Sequence, residues 1–143
     1  MKGVNPAGLA RFARQAQKLA EFSGEVNILV SGNRRLQELN RKFRHKNRPT
    51  DVLSFLSDGV GDIAISAEMA RRNAGRYRHS LADELKILVL HGILHLAGHD
   101  HEVDNGGMAE LENRLRARLK LPRSLIARAS ADHKKSGTRR RTR

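Results

Sequence analysis

Apolar positions recur along the chain in two periods, and the switches between them mark out the elements. Leu9, Phe12, Ala13, Ala16 and Leu19 keep a helical spacing behind Asn5-Pro6, a pair suited to an N-cap and a first helical residue. They predict a helix near 5–22 that Ser23-Gly24 ends. Val26, Ile28 and Val30 then alternate with Asn27 and Leu29, the period of a strand near 25–31, and Leu36, Leu39 and Phe43 lay an apolar stripe on a second helix. Beyond the polar segment 44–51, VLSFL at 52–56 and GDIAIS at 61–66 read as a hairpin around Ser57-Asp58-Gly59. Helix returns near 67–76. Ser80 followed by Asp83 is a capping-box pattern, and the helix it opens, roughly 81–97, is apolar nearly all round through Leu81, Leu85, Ile87, Leu88, Val89, Leu90, Ile93, Leu94 and Leu96. Such a helix belongs in the centre of the fold, with Gly98 as its left-handed stop. Met108, Leu111, Leu115 and Leu119 stripe a final helix that Pro122 follows.

Helices and strands in this order predict an α+β domain. At 143 residues there is room for one core, assigned to residues 1–122, with 123–143 as a basic tail that has no apolar periodicity. The absence of cysteine excludes disulfides and thiolate metal sites and fits a reducing cytoplasm. The longest apolar stretch is interrupted by His91 and His95, so no membrane partner is expected. Charge adds more. The formal net charge is +13; the segment from Pro122 onward carries eight Lys/Arg against one Asp, which leaves +6 on the first 121 residues. The body is basic in its own right, and a polyanion is its natural partner.

The candidate chemistry lies in HGILHLAGHDH at 91–101. His91 and His95, four apart, share one face of the central helix and can present two imidazoles to one ion. A glycine at position 98 lets the chain turn and bring His101 back over that face, the spacing of the HExxHxxGxxH zinc site. Three imidazoles with no fourth protein ligand describe an open, catalytic site, and zinc fits it; nickel, copper and iron suit imidazoles too. His99 is the alternative third ligand, and Asp100 is placed either to orient an imidazole or to sit solvated in the loop. Gly92 stands where a zinc peptidase carries the glutamate that deprotonates water, which argues against peptide hydrolysis.

The chain resembles the YbeY-type endoribonucleases of bacterial ribosomal RNA maturation. The likeness runs through FRHKNRPTDVLSF at 43–55, GDIAIS at 61–66, His79-Ser80, Glu84, HGILHLAGHDH at 91–101, and Met108 with Glu112. It implies a small mixed sheet of about four strands surrounded by about five helices, with the metal at the end of the buried central helix. It further implies one ion, usually zinc, held by His91, His95 and His101, and Arg44 as the functional arginine. Cleavage selective for single-stranded RNA, maturation of the 16S rRNA 3′ end and ribosome quality control in the cytoplasm follow from the same likeness. Two departures stand out: Leu56 occupies a position where the family usually has proline, and the loop at 57–60 is short.

The reading is therefore a metal-dependent endoribonuclease whose partners are single-stranded RNA, precursor rRNA and the small ribosomal subunit. With aromatics at only 3%, little base stacking is expected along its basic surface. Either water or the RNA 2′-hydroxyl serves as nucleophile. Thr50, Asp51 and Asp62 are explained by turn and strand formation and are not assigned catalytic roles. The rival readings are a metallohydrolase acting on peptides or small molecules, and a non-enzymatic ribosome- or RNA-binding factor braced by its metal.

Overall fold

The structure is a computed structural model that describes residues 5–98 and 106–122. Helix α1 (Pro6–Ala20) starts where Asn5 Oδ1 accepts the Ala7 N–H at 3.0 Å, and it buries Leu9, Phe12, Ala13, Ala16 and Ala20. It stops two residues earlier than its periodicity suggests. Glu21 adopts the left-handed conformation (φ 57°), and the Glu21 and Phe22 N–H groups close the helix onto the Lys18 and Gln17 carbonyls. Gly24 answers to a different constraint, because a Cβ there would lie 2.5 Å from the Gly59 carbonyl oxygen. Close backbone approach, rather than helix termination, requires the glycine.

Strands β1 (Glu25–Ser31), β2 (Val52–Ser57) and β3 (Val60–Ser66) pair in the order β1-β3-β2, parallel between β1 and β3 and antiparallel between β2 and β3. The hairpin is as tight as it can be: Asp58 (φ 51°) and Gly59 (φ 77°) alone link Ser57 to its partner Val60. Positive φ at both residues is the primed turn that Asp-Gly favours between twisted strands. The sheet has three strands among the described residues, which corrects the expected four. The alternating segments of the sequence supply only these three, and Asn5-Pro6 commits the first described residues directly to α1, leaving β1 and β2 as the two edges.

The five helices among the described residues include α2 (Asn33–Arg44), α3 (Ala67–Tyr77), α4 (Leu81–Leu96) and α5 (Gly107–Arg118). Helix α4 lies against one face of the sheet, with Leu85, Leu88, Leu90, Ile93 and Leu94 out of contact with water, each worth roughly 1.5–3 kcal/mol of burial. Two glycines set how closely it packs. A Cβ on Gly61 of β3 would meet Leu96 Cδ1 at 2.5 Å, and one on Gly92 would meet the Cδ1 and Cγ2 atoms of Ile63 at 3.0 Å. Helix α4 thus runs antiparallel to β3. Helix α2 covers the opposite face through Leu36, which packs with Leu53 and Ala64 and with the partly buried Leu39 and Phe55.

The N-terminal end of α4 is tied down by polar groups. Ser80 Oγ accepts the Asp83 N–H at 3.0 Å, as the capping-box pattern predicts. Glu84, fully buried, binds His79 Nε2 at 2.7 Å through one carboxylate oxygen and accepts from Asn73 Nδ2 at 3.2 Å through the other. Asn73 also donates to Asp51 at 3.3 Å. One buried network therefore joins α3, α4 and the segment entering β2, and it places Asp51 in a structural role.

Candidate functional site

His91 and His95 occupy the last two turns of α4 and point the same nitrogen at the same place: their Nε2 atoms are 3.1 Å apart. Two imidazoles bound to one tetrahedral ion at about 2.05 Å each would hold their nitrogens about 3.3 Å apart. The rings cross nearly edge to face, with centroids 4.7 Å apart. The first helical pair of the spacing argument is thus assembled at chelating distance.

Glu112 makes the pair directional. It projects from α5, fully buried, and its Oε1 lies 2.8 Å from His91 Nδ1. A carboxylate there holds the proton on Nδ1 and turns the Nε2 lone pair toward His95, the carboxylate–histidine arrangement common behind metal-binding imidazoles. In the sequence Glu112 stands out only within the family likeness. Its signal was present all the same: an acid set between Met108, Leu111 and Leu115 on a face that must be buried needs a specific partner.

Gly92, between the two histidines, faces the sheet rather than the imidazoles, since its missing Cβ would point into Ile63. A side chain at position 92 would enter the core. Gly98 takes the left-handed conformation (φ 99°) predicted for the stop of α4, and its N–H bonds to the His95 carbonyl at 3.0 Å. His99, Asp100 and His101, including the expected third ligand, lie outside the described residues. Among the described residues no group of three His, Asp or Glu side chains forms a cage, so the site here is the His91–His95 pair with its Glu112 support.

Arg44 closes α2 just before His45, which caps the helix in the left-handed conformation (φ 59°). Its Nη2 donates to the Ser54 carbonyl of β2 at 3.0 Å. Ser54 is the register partner of Ile63, the residue against which Gly92 packs. The arginine is therefore anchored to the middle of the edge strand β2. A neutral carbonyl orients the guanidinium without cancelling its charge. Asn40 Nδ2 donates to the Arg48 carbonyl and Gln37 to Asn47, which folds the basic loop 45–50 back onto α2.

The described residues thus define an α+β domain with a three-stranded sheet whose buried central helix carries a carboxylate-braced imidazole pair. A family model described as endoribonuclease YbeY matches residues 7–120. The chain belongs to the YbeY endoribonuclease family. It is 49% identical over 144 residues to the endoribonuclease YbeY of Koribacter versatilis, covering 99% of this chain and 95% of that one. It is 50% identical over 125 residues to the endoribonuclease YbeY of Solibacter usitatus, covering 86% and 85%. Among solved structures it is similar to the solution structure of TM1509 from Thermotoga maritima, with a TM-score of 0.54 and 30% identity over 78% of this chain and 81% of that one.

Proposed function

We propose that this chain is a metal-dependent endoribonuclease that cleaves single-stranded RNA in ribosomal precursors, with one zinc ion held by His91, His95 and His101. The observation that carries the reading is the 3.1 Å approach of the two Nε2 atoms with Glu112 fixing the tautomer of one of them. Membership of an endoribonuclease family supplies the reaction class, and the excess of Lys and Arg suits a phosphodiester polyanion. When bound, the ion lowers the pKa of a coordinated water or polarises a phosphoryl oxygen. Arg44 engages the non-bridging oxygens of the scissile phosphate, its guanidinium held in place by Ser54. Action on the 3′ end of 16S rRNA, in the cytoplasm and at the small subunit, is the proposed setting.

His95→Ala is the cleaner test of the site, because His91→Ala would strand the buried Glu112 carboxylate. Purified wild-type protein should cut single-stranded RNA and spare a duplex of the same sequence, and His95→Ala should retain the fold by circular dichroism while losing cleavage. Equal cleavage by the variant would overturn the assignment. Glu112→Gln keeps the volume and removes the charge behind His91. It should weaken zinc affinity about 10–100-fold in competition with a chromophoric chelator, the usual effect of losing such a support.

A further inference from the structure

We propose that Phe43 and Phe55 form a stacking shelf for one unpaired RNA base at the edge of β2, beside Arg44. The inference rests on the ribonuclease reading and adds to it the contact by which the protein distinguishes a single strand from a duplex. The rings lie 4.6 Å apart at 45°, one from the last turn of α2 and one from β2. Phe43 is 50% exposed although it is the continuation of the apolar stripe that buries Leu36. Phe55 is partly buried against Leu36, Leu53 and Ala64 and backs the Phe43 ring, whereas Phe12 and Phe22 belong to the main core. An exposed apolar patch of this kind, rimmed by polar groups, marks a contact site.

The rim identifies the occupant. Arg41, Lys42, Arg44, Lys46 and Arg48 fall within eight residues that contain no acid, and Lys42 Nζ sits 5.4 Å over the Phe43 ring. Arg44 and Phe43 are adjacent in α2, and their contacts, Ser54 and Phe55, are adjacent in β2. Flat apolar surface interleaved with cations matches a planar base and its phosphates, whereas an apolar protein face would leave those cations desolvated. Bases inside a duplex are already stacked and cannot reach such a shelf, so it selects unpaired RNA. The low aromatic content of the chain is no obstacle, because one shelf needs only these two rings.

The test uses the full chain and a short oligoribonucleotide carrying 2-aminopurine at successive positions, as a single strand and as a duplex. Wild-type protein should quench the fluorophore at one position of the single strand only. Phe43→Leu keeps apolar contact with Phe55 but loses the aromatic face; it should abolish that quench and weaken single-strand binding about tenfold, with duplex binding unchanged. Phe43→Trp should restore both, and matching melting temperatures should show that all three proteins fold alike. Unchanged quench and affinity in Phe43→Leu would overturn the proposal. So would an equal loss on single strand and duplex, or a defect confined to binding a protein partner. Cleavage of the same oligonucleotide is scored in parallel: Phe43-dependent stacking without cleavage supports the shelf and counts against the catalytic reading alone.

Discussion

Gly92→Glu, which restores the peptidase sequence HExxH on paper, is expected to yield a destabilised protein with no peptidase activity. The reason is direction. A Cβ at position 92 would already lie 3.0 Å from Ile63, a side chain with no exposed surface and no room to retreat, and overpacking of this kind costs roughly 1–3 kcal/mol. The rest of the glutamate would follow that Cβ into the interface of α4 and β3, where an unpartnered carboxylate adds several kcal/mol more. Together these should lower the melting temperature by roughly 10–15 °C, at a few degrees per kcal/mol for a domain of this size. Gly92→Ala separates the terms. Its helix-propensity gain of about 1 kcal/mol offsets part of the clash, so its melting temperature should fall far less. A Gly92→Glu protein as stable as wild type, or one that hydrolysed peptides, would show that position 92 faces the imidazoles.

Arg44→Ala is expected to reduce turnover on single-stranded RNA by about 10²–10³-fold, the usual loss on removing a group that stabilises transition-state charge. The fold should survive, since the variant removes one exposed bond to the Ser54 carbonyl, worth about 1 kcal/mol. Arg44→Lys should rescue little. An ammonium cannot donate to Ser54 and also present a planar fork to the phosphate, so kcat should stay low while KM moves only slightly. Wild-type turnover in Arg44→Ala would remove the arginine from the reaction and leave it as one cation of the basic loop.

These expectations differ in how far the sequence alone supports them. Local patterns, from apolar periods to β-rich runs and the Asp-Gly turn, mark all eight described elements, because each depends on residues close together in the chain. The number of strands did not follow: the fourth was an inference from likeness, and no described segment alternates to supply it. His91 and His95 were legible because four residues make one helical step. Glu112 and the network of Asp51, Asn73 and Glu84 were not, because their partners lie 11 to 22 residues away and meet only when helices pack. A buried acid on an apolar stripe announces that it has a partner without naming it. Gly92 was half legible: the missing base could be read from the motif, while the reason for glycine, contact with Ile63, required the sheet.

The paired imidazoles of His91 and His95 are proposed to hold one ion, and titrating that ion is the direct test. Protein stripped with a chelator and dialysed should be inactive on single-stranded RNA, and stepwise addition of zinc should restore cleavage to a plateau at one ion per chain, with His95→Ala showing no such rise. Full cleavage by stripped protein, or a plateau reached equally by His95→Ala, would contradict it.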